Sequence, residues 1–122
     1  MNAAVIGAGA WGTALACQLS RNGHDTVLWF RSPEKAALAQ ETRVNPRLKN
    51  AVLPPQLLCT ADPQCVRGCG LVVIAAPSFP IRSVCQTVAP YLDESAIMVS
   101  VTKGIEEGSL LRMSQIVAQE TS

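Results

Sequence analysis

The stretch that decides the fold is residues 3–24, "AAVIGAGAWGTALACQLSRNGH", which contains glycines at Gly7, Gly9 and Gly12. Inside a regular element each glycine costs roughly 0.5–1 kcal/mol relative to alanine, so this fixed spacing needs a backbone or ligand reason. The run before the glycines, residues 3–6, is short and apolar, as in a buried strand. The tract after them repeats apolar residues at helical spacing. The glycines are therefore predicted to form a turn between a strand and a helix.

A Gly-x-Gly-x-x-Gly pattern in this position is typical of a dinucleotide-binding turn. Gly7 would permit the tight turn, Gly9 would let a pyrophosphate approach the backbone, and Gly12 would let the helix pack closely on the strand. The helix N-terminus then offers free N–H groups and partial positive charge to an anion, with Trp11 in the first turn. An ordinary strand-to-helix turn is the alternative that the pattern leaves open.

Composition restricts the class of protein. The chain has 122 residues, is 48% hydrophobic and carries a net charge of +1, which predicts a single domain that buries its own core. No apolar run approaches the ~20 residues of a membrane helix, so membrane insertion is not expected. The ten basic residues form no run, so we expect neither a nucleic acid nor an anionic membrane as partner.

The cysteines and the histidine predict no metal centre. Five cysteines, an odd number, occur without a secretory leader, which favours a reducing compartment. Cys65 and Cys69 lie four residues apart, but no CxxC pair or neighbouring histidine completes a zinc set. The cysteines are expected to be small buried hydrophobic residues. His24, between the first helix and the next strand, is expected to lie in a surface loop rather than to act in catalysis.

Apolar runs and helical patterns alternate along the rest of the chain. Further strands are predicted at Thr26–Phe30, Leu57–Thr60, Leu71–Pro77 and Ala96–Thr102. Helices are predicted at Trp11–Arg21, Pro33–Gln40, from a cap at Asp62 to near Gly68, Ser78–Leu92 and Gly108–Gln119, and a loop at Arg43–Pro55. This alternation predicts an α/β fold, a doubly wound parallel sheet with strand one central, formed by residues 1–122 as one domain. The segments that follow the strands would then line one crevice.

Two residues after strand ends are candidates for binding or chemistry. An NAD-specific domain usually carries a carboxylate at the end of the second strand, but here "WFRSPE" places Arg31 there. Arg31 can pair with a 2′-phosphate, and Ser32 can add a hydrogen bond, so NADP is accommodated while NAD remains open. Lys103, in "SVTKGIE" after the fifth strand, could hold a phosphate or polarise a carbonyl. Solvent-exposed surface roles are the alternatives for Arg31 and Lys103.

Four motifs in order carry a resemblance to a known family. They are "GAGAWGTALACQLSRNGHDTVLWFR", "RVNPRLKNAVLPPQL", "VVIAAPSFPIR" and "SVTKGIE…SLLRMSQIV". Together they resemble the N-terminal half of bacterial-type NAD(P)-dependent glycerol-3-phosphate dehydrogenase. The resemblance implies a Rossmann domain followed by a helical substrate domain, and reversible reduction of dihydroxyacetone phosphate to sn-glycerol 3-phosphate for phospholipid synthesis in the cytoplasm.

The resemblance also implies roles for individual residues. Those that match the family's cofactor contacts are Gly7, Gly9, Ala10, Trp11, Gly12, Arg31, Ser32, Phe79 and Lys103. Phe79 matches a residue beside the nicotinamide, and Lys103 matches a lysine that touches both cofactor and substrate. The family's main general acid lies in the substrate domain, outside this chain. The chain alone is therefore expected to bind NADP or NAD without efficient turnover.

Two other functions remain open from the sequence. A related reductase would act on another small oxo acid or sugar acid, although the sequence motif "TKGIE" argues against this function. A stand-alone nucleotide-sensing module would use the same glycines without catalysis and would not need Lys103.

Apolar surface at the place where a second domain would dock also allows self-association, with a homodimer as one form.

Overall fold

The computed structural model describes residues 2–49, 51–75 and 81–101. Within these ranges the strands are β1 (Asn2–Ile6), β2 (Asp25–Trp29), β3 (Leu58–Thr60), β4 (Leu71–Ile74) and β5 (Ile97–Ser100). The helices are α1 (Ala10–Arg21), α2 (Pro33–Thr42) and α3 (Ile81–Val88), with short 3₁₀ helices at Pro63–Val66 and Ala89–Tyr91. Strands and helices thus alternate along the described chain.

The described strands form one parallel five-stranded sheet in the order β3-β2-β1-β4-β5. The central strand β1 pairs with β2 on one side and with β4 on the other, so Ile6 lies between Trp29 and Ile74. The strand order reverses direction at β1, and ligands of open parallel sheets bind outside the carboxyl ends of the strands at such a point. The predicted fold class and the central position of strand one are confirmed.

Apolar cores lie on both faces of the sheet, and the inner strands β1, β2 and β4 are buried beyond their first residue. On β1, Ala4 and Ile6 belong to a cluster that includes Val84 of α3, whereas Val5 belongs to a second cluster that includes Ala16 of α1. Successive residues of a strand point to opposite faces, so covering both faces buries both sets of side chains. Helices α1 and α2 contribute to the second cluster, and α3 and the first 3₁₀ helix contribute to the first.

Several element boundaries differ from the sequence-based prediction. The predicted helix at 78–92 is wrong as a continuous element: its described part is α3 followed by a 3₁₀ helix that has a proline in its first turn. Pro90 lacks the N–H that an α-helix needs there. The short helix capped by Asp62 is a 3₁₀ helix in which the Asp62 carboxylate accepts the N–H of Gln64 at 2.9 Å. The helix predicted at 108–119 lies outside the described residues.

Side-chain hydrogen bonds hold the segment between α2 and β3, predicted as a plain loop. Arg43 ends α2 in the left-handed conformation with φ of 60°. Its guanidinium donates to the carbonyl oxygens of Pro54 and Leu57, each at 2.7 Å. The Gln40 side chain accepts the backbone N–H of Cys59 at 2.7 Å, which ties α2 to β3. The segment therefore has a defined path along the edge of the sheet.

The close approach of α1 to β1 depends on Gly12. A Cβ at this position would overlap the carbonyl oxygen of Gly7 and would lie 3.1 Å from the Cβ of Ala75. Both neighbours are held by the sheet, since the N–H of Gly7 donates to Trp29 at 3.1 Å and the N–H of Ala75 donates to Ile6 at 2.9 Å. The packing role predicted for Gly12 is thus a steric requirement.

We expect Gly12→Ala to lower the free energy of unfolding by about 1–3 kcal/mol, because the added methyl group forces α1 away from β1. Chemical denaturation followed by circular dichroism measures the change. Gly9→Ala is the matched control: a Cβ at Gly9 meets no atom within 4 Å, so the expected loss is below about 1 kcal/mol. Equal stability of the Gly12→Ala variant and the unsubstituted chain would contradict the packing account.

Candidate functional site

A cleft of about 390 Å³ opens at the carboxyl ends of β1 and β2. Its walls come from segments that are distant in sequence: the glycine turn at 7–9, the end of β2 at 29–32, Lys35, Asn45 and Arg47, and Val84 of α3. A parallel sheet brings these segments together because each follows or flanks the carboxyl end of a strand. The part of the predicted crevice that follows β1 and β2 is described, and it contains four of the predicted site residues: Gly7, Gly9, Arg31 and Ser32. The segments directly after β4 and β5, at 76–80 and from 102 onward, lie outside the described residues.

The glycine turn has the backbone geometry that its sequence predicts. Gly7 has φ of 123°, a conformation that residues with a Cβ rarely adopt. Gly9 is extended, with φ of −70° and ψ of −178°, and forms the N-cap of α1. Open space lies where a Cβ of Gly9 would stand. A ligand can therefore come close to the backbone at Gly9.

The N-terminus of α1 is free to receive an anion. It has no side-chain cap and no acidic residue in its first turn. The helical hydrogen bonding begins where the N–H of Thr13 donates to Gly9 at 2.9 Å, so the N–H groups of Ala10, Trp11 and Gly12 precede that first bond. The helix dipole adds partial positive charge at the same place. The Trp11 side chain is 65% exposed beside this turn.

The end of β2 supplies positive charge and a capping hydroxyl. Arg31 is exposed at the cleft. Ser32 caps α2: its Oγ accepts the Lys35 N–H at 3.3 Å and donates to the Glu34 carboxylate at 3.0 Å. The hydroxyl would have to release Glu34 in order to donate to a phosphate.

Three cleft residues from α2 and the segment after it were missed by the sequence reasoning. Lys35, in the first turn of α2, and Arg47, beyond α2, add two cationic side chains to the one predicted at Arg31. The third is Asn45, a buried amide that bonds to the glycine turn. The Asn-Pro pair at 45–46 is a turn signal that marks this place, but it does not reveal that the amide reaches a turn almost forty residues earlier.

Trp29 contributes a buried N–H to the cleft wall. Its side chain is only 5% exposed and borders the cleft, and its Nε1 has no hydrogen-bond partner among the described residues. A buried donor without a partner costs free energy. Trp29 therefore carries an unsatisfied buried donor next to the cleft.

Phe79 and Lys103, the residues predicted to lie nearest the reacting groups, are outside the described residues. Their predicted roles beside the nicotinamide and the substrate stay predictions.

The cysteines lie away from this cleft. Cys17, Cys59, Cys69 and Cys85 are buried, and none of the five forms a disulfide. Burial, followed by the nearby Cys69 and Asp62, raises the pKa of Cys65 from 9.0 to about 12. A thiol with such a pKa is protonated at neutral pH and is a poor nucleophile. In the described part of the chain no group of three or more potential metal-ligating side chains occurs.

Comparison with known proteins identifies the family. The sequence profile described as "NAD-dependent glycerol-3-phosphate dehydrogenase N-terminus" matches residues 2–122. The chain belongs to this family. It is 44% identical over 120 residues to glycerol-3-phosphate dehydrogenase [NAD(P)+] 2 of Mycobacterium tuberculosis, and the match covers 97% of this chain and 36% of that protein. It is 46% identical over 121 residues to the enzyme of Thioalkalivibrio sulfidiphilus, covering 96% and 36%.

Solved structures show the same fold. The crystal structure of glycerol-3-phosphate dehydrogenase from Coxiella burnetii superposes with a TM-score of 0.88 at 33% identity, covering 98% of this chain and 37% of that one. The family resemblance and the Rossmann fold predicted from the sequence are confirmed. The chain spans about a third of the length of the curated relatives that it matches. Within the described ranges, no helix has the length and apolar character needed to cross a membrane.

We expect Gly9→Val to weaken dinucleotide binding at least about tenfold while the domain still folds. The valine side chain would occupy the open space at the turn where a ligand approaches the backbone. Calorimetric titration with NADPH measures the affinity, and thermal unfolding checks the fold. Unchanged affinity in the folded variant would remove the glycine turn from the binding site.

Proposed function

We propose that the chain is the cofactor-binding domain of an NAD(P)-dependent glycerol-3-phosphate dehydrogenase. The whole protein would interconvert dihydroxyacetone phosphate and sn-glycerol 3-phosphate. The observation that carries the proposal is the glycine turn, with its positive φ at Gly7, its open face at Gly9 and its close packing at Gly12. The names of the relatives, all glycerol-3-phosphate dehydrogenases using NAD(P)+, supply the reaction.

The residues of the cleft fit the parts of a dinucleotide. The first turn of α1 would bind the pyrophosphate through backbone N–H groups and the helix dipole. Arg31 would lie at the adenosine end, where it can pair with a 2′-phosphate and stack along the adenine. No carboxylate takes the position of Arg31 at the end of β2, which favours NADP while leaving NAD possible.

The nicotinamide cofactor supplies or accepts the hydride when bound. In this proposal Phe79 lies beside its ring, and Lys103 contacts both cofactor and substrate. An ammonium group there would bind the substrate phosphate or polarise its carbonyl oxygen. The main general acid would come from outside this chain, so the chain alone would bind cofactor and turn over little substrate.

The cellular setting follows from the proposed reaction. We place the protein in the cytoplasm, where its product would supply phospholipid synthesis. A homodimer is the proposed form of association. Ile97 and Val99 support association because both are exposed on one face of the sheet's edge strand β5, and apolar surface of this kind favours contact with another domain or subunit.

The alternative of a reductase for another oxo acid has weaker structural support. A ketopantoate reductase from Ralstonia eutropha superposes with a TM-score of 0.74 at 27% identity. Both values are below those of the Coxiella burnetii glycerol-3-phosphate dehydrogenase. A nucleotide-sensing module would have the same cleft, so only an activity assay distinguishes it from an enzyme.

The proposed reaction is tested by assaying the protein that carries this chain, at its full length, with NADPH and dihydroxyacetone phosphate. Oxidation of NADPH that depends on dihydroxyacetone phosphate, followed by the loss of absorbance at the reduced nicotinamide band, supports the dehydrogenase. Lys103→Met is expected to lower kcat/KM at least about a hundredfold, since an electrostatic contact to the substrate is lost. Protein that binds NADPH but does not oxidise it with this substrate would contradict the proposal and favour nucleotide sensing.

Arg31→Asp is expected to weaken NADPH binding about 10- to 100-fold and NADH binding less than about threefold, because a charged pair with the 2′-phosphate becomes a repulsion. Calorimetric titration with each cofactor measures the two affinities. Arg21→Asp, the same charge change in the last turn of α1, is the control and should affect neither cofactor. Equal losses for both cofactors would show that Arg31 does not read the 2′-phosphate.

A further inference from the structure

Asn45 is one of the few polar residues buried in the described part of this domain. Its side chain is 4% exposed, although it lies in an irregular segment between α2 and β3. A buried amide must satisfy its hydrogen bonds within the protein, because leaving one unmade costs free energy. The partners of Asn45 therefore indicate what this residue does.

The Asn45 amide donates one hydrogen bond to the glycine turn and one to α1. Nδ2 donates to the carbonyl oxygen of Ala8 at 2.9 Å and to Oγ1 of Thr13 at 2.8 Å. Thr13 is itself fully buried. Ala8 comes just before the N-cap of α1, and Thr13 lies one helical turn later. A single side chain thus ties the glycine turn to the start of α1, whose first N–H groups are free.

The acceptor atom of the same amide organises a second wall of the cleft. Oδ1 accepts the backbone N–H of Arg47 at 3.2 Å, which closes a local turn. Arg47 borders the cleft with Asn45. The position of this cation and the shape of the glycine turn therefore depend on the same amide.

We propose that Asn45 is a positioning residue for the dinucleotide: it holds the glycine turn in the shape that receives the pyrophosphate. This inference rests on the proposed cofactor-binding function. The turn itself has no side-chain cap at Gly9, so its conformation needs support from elsewhere. A groove set by preorganised donors binds more tightly than one that must be ordered at binding.

Asn45→Asp is the sharpest variant because it changes almost no volume. A carboxylate accepts hydrogen bonds but cannot donate them, so it would repel the Ala8 carbonyl and place negative charge near the pyrophosphate. We expect NADPH and NADH affinities to fall together by about 10- to 100-fold. Adenosine 2′-phosphate, which lacks a pyrophosphate, should lose less than about threefold. A purely structural role would not separate the two kinds of ligand. Because the new carboxylate can also repel the pyrophosphate directly, the uncharged variant Thr13→Val must show the same selective loss.

The measurement is calorimetric titration of each variant with NADPH, NADH and adenosine 2′-phosphate at a temperature where thermal unfolding shows it folded. Asn2→Asp is the matched control, since Asn2 is exposed at the opposite end of β1, and all its affinities should match those of the unsubstituted chain. Thr13→Val is titrated in parallel, and it stands alone if Asn45→Asp does not fold. That variant removes one acceptor of the Asn45 amide without adding charge, and its dinucleotide affinity should fall about tenfold.

The results separate this inference from the function on which it rests. If the unsubstituted chain binds neither dinucleotide, the proposed function fails. If it binds them, and folded Asn45→Asp or Thr13→Val binds them equally well, the positioning role is overturned while the function stands. A uniform loss for all three ligands would also overturn it, because the effect would then not be specific to the pyrophosphate.

Discussion

The packing of α1 against β1 at Gly12 is the contact on which the rest of the structure depends. A side chain at this position would overlap the carbonyl oxygen of Gly7, so the helix can start directly above the central strand only because a glycine is present. That placement brings the N-terminus of α1 to the point where the strand order reverses. The same packing that builds the domain thus creates its anion-binding end.

The cleft is assembled from segments that the sheet brings together. The backbone donors come from the turn after β1, and the cations come from the end of β2, the first turn of α2 and the segment beyond it. Arg43 fixes the start of that last segment through its bonds to Pro54 and Leu57, and Asn45 fixes its contact with the glycine turn. The shape of the site therefore depends on hydrogen bonds made by the irregular segment as well as on the sheet.

The sequence predicted the features that depend on local patterns. The roles of Gly7 and Gly12 follow from spacing between a strand and a helix, and the apolar run at Leu71 predicted a strand covered on both faces. The break at Pro90 was missed because the apolar pattern continued across it. Asn45 was missed because its partners are distant in sequence, and only the folded chain shows that its amide meets Ala8. No local pattern encodes that hydrogen bond.

The structure describes the pyrophosphate end of the predicted dinucleotide site but not the two residues predicted at the reacting end. The pyrophosphate end is built from residues whose geometry the structure describes, whereas Phe79 and Lys103 rest on the family resemblance. The cationic side chains Lys35 and Arg47, which also line the cleft, were visible in the sequence only as isolated charges. Their grouping is a result of the fold.

The most direct test of the central claim is calorimetric titration of the 122-residue chain with NADPH and then NADH, repeated in the presence of saturating dihydroxyacetone phosphate. The account predicts that both dinucleotides bind at a single site, NADPH more tightly, and that dihydroxyacetone phosphate leaves both affinities unchanged. Circular dichroism on the same sample establishes that the chain is folded. A folded chain that binds neither dinucleotide would contradict the account.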